Sequence, residues 1–308
     1  MRAAQYDRYG GAEVLTEREV PDPHVSSGRA LVRVEATSLN QIDLDVRAGT
    51  LRIATGWQFP KGTGLDFIGT IDSVGDGWTG PAVGTRVWGF KPNLPDGRTL
   101  AAAELYEVKP GWLAPAPEGP AELGSLPLVG TTAYRSLQTL RVGAGSTLLV
   151  RGAAGGVGSA AVQLAAARGA LVTAVTSARD LEYVRALGAE TVLDYRAVTP
   201  ATITERFDGV LDLFGKDVWA WRRLRNRYGR FATPAASATA AIILSLPLGP
   251  KRVRPIFASP RIGELEAIAA AVSSGSLTPQ VGAAFPLARI AEAHRAVGTV
   301  RGKVLVTI

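Results

Sequence analysis

The chain of 308 residues contains no cysteine, only two histidines and a single methionine. Without cysteine it can form no disulfide, no thiolate nucleophile and no cysteine-ligated zinc or iron–sulfur centre. His24 and His294 are too few for a zinc site built from three nitrogen or sulfur ligands. His24 follows a turn-like Pro-Asp-Pro and His294 lies in a helical pattern, so both are predicted to lie at the surface. The sequence therefore predicts that no metal is bound.

Long apolar runs are also missing. No stretch approaches the ~20 apolar residues that span a bilayer, and the amino terminus lacks the apolar core of a secretory signal. We therefore expect a cytoplasmic protein without a membrane partner. Apolar residues make up 46% and charged residues 20% of the chain, which suits a globular protein of two domains with a substantial core.

The charge is unevenly signed, with a formal net charge of +7. The densest basic run, residues 222–230, overlaps a predicted helix over residues 217–227 that is followed by a predicted strand from Arg230. It has no aromatic interleaving suited to base stacking and matches no DNA-binding motif. We interpret it as a solvated helix face, so nucleic acid is not the expected partner. A mildly basic surface suits an anionic cofactor.

The most informative stretch is TLLVRGAAGGVGSAAVQLAAARGA, residues 147–170. Its apolar start predicts a buried strand, and the apolar residues after the glycines recur at helical spacing. Glycines between a strand and a helix let the backbone turn tightly and approach a diphosphate. The helix amino terminus adds free N–H groups and the positive end of its dipole. The alternative is a glycine-rich turn of another α/β protein.

The end of the next predicted strand indicates which dinucleotide is bound. The chain continues there with Thr176, Ser177, Ala178 and Arg179, and no carboxylate precedes Asp180. An acidic residue at this place would accept from the 2′-hydroxyl of NAD, whereas small hydroxyl residues with an arginine suit a 2′-phosphate. The sequence therefore favours NADPH, although the adjacent Asp180 weakens this interpretation slightly. The alternative is that Arg179 is only a charge at a helix start.

Two halves of the chain differ in pattern. Short alternating segments with glycine and proline punctuation predict a small β-barrel up to about residue 120. From residue 147 onward strands and helices alternate, which predicts a parallel sheet covered on both faces. The last segment, residues 285–308, is predicted as a helix and a strand, and periodicity alone does not assign it to either domain.

The whole chain resembles the medium-chain dehydrogenase/reductase superfamily, specifically its zinc-free quinone oxidoreductase-like branch. Each matching segment is weak by itself, but six in the family's order are strong. They are residues 39–49 (LNQID and RAG), 64–69 (GLDFIG), 126–134 (LPLVGTTAY), 153–158 (AAGGVG), 177–195 (SAR, LGA and DY) and 301–304 (RGKV).

The resemblance implies an architecture. Residues 1–120, completed by 275–308, would form a GroES-like catalytic domain, and residues 121–274 a Rossmann dinucleotide-binding domain. The fold class is thus α/β, a doubly wound parallel sheet plus a GroES-like β-barrel. The cofactor would lie between the domains, and such enzymes are commonly homodimers.

The resemblance also implies residue roles. Asn40 and Thr131 would lie near the nicotinamide and its ribose and are the candidate catalytic residues. The remaining cofactor contacts divide among the diphosphate (Ala154, Gly155, Gly156, Val157), the 2′-phosphate ribose (Thr176, Ser177, Arg179, Tyr195), the nicotinamide side (Leu213, Phe214, Pro234) and the closing strand (Arg301).

Departures from the family pattern fall around the expected substrate pocket. The proline that follows the family's asparagine is Gln41 here, and a tyrosine found in several relatives is replaced by Leu51. A phenol is therefore absent at that position. Trp57 would wall the pocket or cap the barrel, and Lys61 is predicted to be solvated. Leu51, Trp57 and Lys61 are the candidate pocket residues.

The leading functional hypothesis is NADPH-dependent reduction of a quinone or an activated C=C bond by hydride transfer, without zinc. Neither histidine, cysteine nor metal is required for it. The proton donor is not identified; Asp43, Lys61 and Tyr134 are candidates. One alternative is a specialised biosynthetic reductase or redox-neutral enzyme on the same scaffold. Another is a non-enzymatic NADPH-responsive protein that binds nucleic acid through residues 222–230.

Overall fold

The computed structural model describes residues 1–92 and 100–308. These residues divide into two compact units. The first comprises Met1–Leu128, Ser259–Ser273 and Thr278–Ile308, and the second comprises Val129–Ala258 and Ser274–Leu277. Among the helices of the described residues, none has the length and apolar character needed to cross a membrane.

Strands and helices alternate differently in the two units. The strands, in chain order, are β1 (Arg2–Gln5), β2 (Thr16–Glu19), β3 (Ala30–Leu39), β4 (Asp66–Val74), β5 (Arg86–Phe90), β6 (Leu105–Val108), β7 (Leu113–Pro115), β8 (Thr147–Arg151), β9 (Leu171–Thr176), β10 (Thr191–Asp194), β11 (Phe207–Asp212), β12 (Arg225–Thr233), β13 (Val253–Pro255), β14 (Val281–Pro286) and β15 (Lys303–Thr307). The α-helices are α1 (Gln41–Arg47), α2 (Arg52–Thr55), α3 (Pro127–Leu140), α4 (Gly156–Ala167), α5 (Leu181–Ala186), α6 (Val218–Arg222), α7 (Thr239–Leu244), α8 (Ile262–Ser273) and α9 (Ile290–Ala296).

The main sheet of the first unit has the strand order β14-β15-β3-β4-β5-β7, with β6 also paired to β3. Only β14 and β15 are parallel; the other pairs are antiparallel. Strand β3 is the centre, because β6 pairs with its first half, β15 with its second half, and β4 with its other edge. Its side chains are therefore buried along most of its ten residues.

The register of this sheet brings three strand ends together. Leu39 at the end of β3 pairs with Val304 near the start of β15, and Ala36 pairs with Ile68 near the start of β4. Since β3 runs antiparallel to both neighbours, its carboxyl end meets their amino ends. The residue after β3 and the first residues of β4 and β15 thus lie at one edge of the sheet.

The second unit contains a parallel sheet with the order β10-β9-β8-β11-β12-β13. The first strand in the chain, β8, lies in the middle, and the later strands extend the sheet in both directions. This is the doubly wound arrangement, in which ligands bind beyond the carboxyl ends of the strands where the order reverses. Here the reversal lies between β8 and β11, and Leu148, Leu149 and Val150 of β8 are fully buried.

The basic run was predicted to lie on a helix, and this prediction is wrong. Helix α6 ends at Arg222, and β12 begins at Arg225. Arg225 pairs with Phe207 of β11, so the segment is recruited into the sheet. Arginine is a good helix former in isolation, but strand pairing with a distant segment overrides local propensity.

The two units do not follow the predicted domain limits at every point. Residues 121–128 and 259–273, predicted for the Rossmann domain, belong to the first compact unit. Helix α8 packs against β7 of that unit. The apolar face of a helix is visible in its periodicity, but the surface that the face covers is not. Residues 121–125 form a 3₁₀ turn, and α3 begins only at Pro127.

Candidate active site

The glycine turn of the second unit connects β8 to α4. Gly152 has φ of +87°, a left-handed conformation that side chains disfavour. A Cβ on Gly158 would lie 2.2 Å from the carbonyl oxygen of Gly152. The turn therefore requires glycine at both positions, for two different reasons. The predicted strand, turn and helix are all present in this order.

The amino terminus of α4 is an accessible group of donors. In an α-helix the first N–H groups have no acceptor within the helix. Here Ser159 is the residue whose N–H bonds back to Gly155, at 2.8 Å. Ala154, Gly155, Gly156 and Val157 precede it and are at least partly exposed. This end of a twelve-residue helix suits an anionic group such as a diphosphate.

The ends of β9 and β10 bring the predicted 2′-phosphate residues together. The N–H of Tyr195 donates to the carbonyl of Thr176 at 2.9 Å, which joins the two strand ends. Ser177 Oγ donates to Asp180 Oδ2 at 2.5 Å, and Arg179 Nε lies 3.4 Å from the same oxygen. The side chain of Arg179 is 65% exposed. An exposed guanidinium beside a hydroxyl and a phenol can receive a phosphate.

The turn after β11 is held by a buried carboxylate. Asp212 is fully buried, and its two oxygens accept from the N–H groups of Phe214 at 3.0 Å and Gly215 at 3.2 Å. Burial raises the pKa of Asp212 despite these donors. A Cβ on Gly152 would meet Leu213 at 3.3 Å. Leu213 and Phe214 therefore lie beside the glycine turn, as the sequence predicted for neighbouring parts of one cofactor site.

Sequence analysis missed a further residue of this turn. Arg151, the last residue of β8, donates to Asp212 at 3.3 Å and to the carbonyl of Lys216 at 2.6 Å. Its guanidinium also lies over the rings of Phe214 and Trp221, 5.2 and 4.6 Å from their centroids. The available signal was an arginine directly before the glycine turn and an aspartate at the end of β11.

Thr131 carries a buried hydroxyl without a partner. It lies in α3, is fully buried, and its Oγ1 makes no hydrogen bond within the described residues. Buried polar groups are nearly always satisfied, so an orphan marks a place where another group belongs. Pro234 directly follows β12, where Ala235 N–H donates to Thr233 Oγ1 at 3.1 Å. Together with the glycine turn, these residues fit a dinucleotide.

The first unit contains a second polar cluster, centred on Asn40. Asn40 precedes α1 and is almost entirely buried. Its Nδ2 donates to Asp66 Oδ2 at 2.8 Å, and its Oδ1 accepts from Lys303 Nζ at 2.5 Å. Lys303 also donates to the carbonyl of Leu39 at 2.8 Å. The cluster occupies the sheet edge where β3, β4 and β15 meet.

Opposite charges flank the Asn40 amide. Lys303 Nζ lies 3.8 Å from Asp66 Oδ2, and the two side chains are 7% and 0% exposed. Burial raises the pKa of Asp66 and lowers that of Lys303, while their mutual attraction opposes both shifts. Ser38 Oγ at 2.6 Å and the N–H of Leu128 at 2.7 Å also donate to Asp66. This buried pair is well supplied with hydrogen bonds, as such pairs must be.

A chain of hydrogen bonds ends on Asp43 of α1. Arg47 Nη1 lies 3.3 Å from His294 Nδ1, and His294 Nε2 lies 3.0 Å from Thr63 Oγ1. Because Arg47 can only donate, Nδ1 accepts and Nε2 carries the proton. Thr63 Oγ1 then donates to Asp43 Oδ1 at 3.5 Å. The prediction that His294 lies at the surface is wrong, since its side chain is 1% exposed; His24 is exposed.

Burial shifts both titratable ends of this chain. It raises the pKa of Asp43 to about 6, although the N–H groups of Asn40 and Gly64 oppose the shift. It lowers the pKa of His294 to about 3, with the Arg47 charge acting in the same direction. A neutral imidazole and a carboxyl that titrates near neutrality therefore lie within one connected cluster.

The candidate pocket residues lie in the first unit and differ in exposure. Trp57 is 66% exposed, with the ring of Tyr9 at 6.0 Å, and Leu51 is half-buried at the start of α2. Lys61 was predicted to be solvated, and this is wrong. It is 2% exposed and donates to the carbonyl of Thr55 at 2.8 Å. Arg301 is exposed just before β15.

A search for metal ligands in residues 1–92 and 100–308 finds no group of three histidine, cysteine, aspartate or glutamate side chains placed to hold an ion. Tyr134, one of the candidate proton donors, accepts a hydrogen bond from Gln138 at 3.1 Å and lies under the guanidinium of Arg168.

Comparison with known proteins identifies the family. Residues 26–115 match the model of the alcohol dehydrogenase GroES-like domain, and residues 187–306 match a model described as zinc-binding dehydrogenase. The chain is 30% identical over 311 residues to a chloroplast envelope quinone oxidoreductase homolog of Arabidopsis thaliana, covering 95% of this chain and 93% of the relative.

Two further likenesses point the same way. An NADPH-dependent alkenal/one oxidoreductase of Arabidopsis thaliana is 32% identical over 223 residues, 70% of this chain and 58% of the relative. The solved structure of a quinone oxidoreductase from Coxiella burnetii superposes with a TM-score of 0.92 at 28% identity, covering 100% of this chain and 99% of that one.

The GroES-like unit and the doubly wound unit with its glycine turn together define a medium-chain dehydrogenase/reductase fold, which confirms the predicted fold class. Within this superfamily, the chain belongs to the quinone oxidoreductase-like branch, as its sequence motifs predicted.

Proposed function

We propose that this protein is an NADPH-dependent oxidoreductase that reduces a quinone or an activated, α,β-unsaturated C=C bond without zinc. The observation that carries the proposal is the glycine turn of β8 and α4 beside the cluster of Ser177, Arg179 and Tyr195. The names of its relatives, a quinone oxidoreductase homolog and an NADPH-dependent alkenal/one oxidoreductase, support the type of reaction.

The second unit supplies the residues that would hold the cofactor. The α4 amino terminus would bind the diphosphate, and Arg179 would provide charge-assisted hydrogen bonds to the 2′-phosphate. The Thr131 hydroxyl, which lacks a partner in the described residues, would gain one from the nicotinamide half. The complete proposed set is Asn40, Thr131, Ala154, Gly155, Gly156, Val157, Thr176, Ser177, Arg179, Tyr195, Leu213, Phe214, Pro234 and Arg301.

NADPH, when bound, supplies the hydride that the substrate accepts. The task of the protein is then to orient the reactants and to stabilise charge that develops on the substrate oxygen. We assign these tasks to Asn40, whose amide is fixed by Asp66 and Lys303, and to the free hydroxyl of Thr131. Leu51 and Trp57 would offer an apolar surface to the substrate, and Lys61 would support it from below by holding the Thr55 carbonyl.

Cofactor titration tests the proposal. NADPH should bind more tightly than NADH, and Arg179→Ala should remove most of that difference, because the arginine contacts only the phosphate that distinguishes the two. Arg185→Ala is the matched control, since Arg185 is an exposed arginine of α5 paired with Glu182. Equal affinities of the parent protein for both cofactors would contradict the assignment of the 2′-phosphate site.

A substrate panel separates the general from the specialised function. Turnover of several quinones and enones with NADPH supports a broad reductase. Cofactor binding without turnover on the panel would instead support a specialised reductase or a redox-neutral enzyme. Metal analysis of the purified protein should find no stoichiometric zinc, and one tightly held zinc per chain would contradict the zinc-free mechanism.

We also propose that the protein is a cytoplasmic homodimer in which two copies pair through β13. This strand is the last of its sheet and has no outer neighbour among the described residues. Close to it in sequence, Leu244, Leu246 and Phe257 are 68%, 56% and 75% exposed. An open sheet edge beside exposed apolar side chains suits pairing with a second copy. Leu246→Asp should shift the mass measured by light scattering to that of the monomer; a monomeric parent would contradict the proposal.

A further inference from the structure

Asp180 occupies an unexpected place in the 2′-phosphate site. It follows the end of β9, and its side chain is only 7% exposed. Its Oδ2 accepts from Ser177 Oγ at 2.5 Å and lies 3.4 Å from Arg179 Nε. Its N–H donates to the carbonyl of Ser177 at 2.9 Å, which closes the turn and fixes this arrangement. The carboxylate thus contacts both residues assigned to the phosphate.

The hydroxyl of Ser177 can serve only one anion at a time. A serine has a single O–H, and a carboxylate and an ionised phosphate are both acceptors. For Ser177 to donate to a 2′-phosphate, the proton must turn away from Asp180 and leave a buried carboxylate with one bond fewer. A ribose 2′-hydroxyl can instead donate to the lone pairs of Ser177 Oγ, and the bond to Asp180 remains.

The charge of Asp180 acts in the same direction. The carboxylate lies beside Arg179 and partly neutralises the cation that a phosphate needs. It also repels a phosphate placed there, whereas it does not repel a neutral hydroxyl. Because the carboxylate is buried, water and salt screen this repulsion less than they would at an exposed site.

We propose that Asp180 is a specificity-determining residue, which lowers the preference for NADPH over NADH by competing with the 2′-phosphate for Ser177 and Arg179. This inference rests on the proposed function, since it requires that Ser177 and Arg179 receive the 2′-phosphate. Its consequence is that the parent protein prefers NADPH only modestly and that the preference can be increased by removing one carboxylate.

Equilibrium dissociation constants for NADPH and NADH test the proposal without turnover. In Asp180→Asn the constant for NADPH should fall about tenfold, equivalent to about 1.4 kcal/mol, while that for NADH should change by less than about threefold. Glu182→Gln is the matched control, because it removes the same charge two residues away. Glu182 is 88% exposed and pairs with Arg185 rather than with the phosphate residues. The control should leave both constants within about twofold of the parent.

A second variant isolates the hydroxyl. In Asp180→Ala the serine proton is released, so NADPH should again bind more tightly. Adding Ser177→Ala to this variant should then weaken NADPH binding more than Ser177→Ala weakens it in the parent, where Asp180 already holds the proton. Equal effects of Ser177→Ala in both backgrounds would contradict the competition.

The remaining outcomes are also decisive. Parallel changes in both dissociation constants, weaker NADPH binding, or failure of both Asp180 variants to fold would show that Asp180 supports the loop and would overturn the inference. Arg179→Ala separates this from failure of the proposed function. If it removes the NADPH preference while the Asp180 variants have no effect, only the inference fails; if it leaves NADPH binding unchanged, the phosphate site itself is wrong.

Discussion

Acidification should destabilise the protein through His294, because this imidazole is buried in a place that accepts only its neutral form. Its Nδ1 faces the Arg47 guanidinium at 3.3 Å, and its Nε2–H faces Thr63 Oγ1 at 3.0 Å. A second proton on Nδ1 would place two cations in contact inside the first unit. His294→Gln is the matched variant, since its amide can accept from Arg47 and donate to Thr63 but takes up no proton.

The size of the effect follows from proton linkage. The pKa of His294 is lowered from 6.5 to about 3 by burial and by the Arg47 charge. A group with a lowered native pKa stabilises the fold at pH above its unfolded value of 6.5, and this contribution is lost as the pH falls toward 3. Between pH 7 and pH 4 the loss amounts to about 3 kcal/mol, from about 1.4 kcal/mol per pKa unit.

Two measurements check this. Urea unfolding of the parent and of His294→Gln at pH 7 and pH 4 should show an additional loss of about 3 kcal/mol in the parent. In a His24→Gln background a single histidine remains, so its ¹⁵N-detected titration reports His294 alone. It should remain neutral at pH 4 and carry its proton on Nε2. A native titration midpoint above pH 6, or an equal acid loss in His294→Gln, would refute the reasoning.

Two further predictions concern the sites themselves. Lys303→Met should destabilise the fold by about 3–5 kcal/mol in urea unfolding, because it leaves a buried carboxylate unpaired, whereas Arg33→Met, which breaks an exposed ion pair, should cost about 0–1 kcal/mol; similar costs for the two would contradict the role given to burial. Gly158→Ala should weaken NADPH binding more than about tenfold by fluorescence titration, since its methyl group meets the Gly152 carbonyl at 2.2 Å. Gly143→Ala is the control because its added Cβ would have open space, and equal loss of binding in both variants would refute the steric argument.

The second unit could be predicted largely from the sequence because its signals are local. Residues 147–170 carry a strand, a turn and a helix in direct succession, and each is visible in the spacing of apolar residues and glycines. The order of strands in the doubly wound sheet then follows from general rules of connection. The exception is β12, whose first residues were assigned to a helix because the partner strand that recruits them is not visible locally.

The polar cluster of the first unit could not be predicted in the same way. His294 and Lys61 were both expected in solvent, yet both are buried. The partner that makes burial of His294 tolerable, Arg47, lies 247 residues away in the chain. A polar side chain is buried when its hydrogen-bond partners are present, and only the folded sheet determines whether they are.

The same long-range pairing determines what Asn40 can contribute to a reaction. Its Oδ1 faces the Lys303 ammonium and its Nδ2 faces the Asp66 carboxylate, 263 and 26 residues away in the chain. Rotating the amide by half a turn would direct Oδ1 toward an anion and Nδ2 toward a cation, so the orientation of the amide is fixed electrostatically. Preorganisation of this kind removes the need to order the group when charge develops nearby. It follows that Lys303, although it belongs to the last strand, acts as a positioning residue for the end of β3.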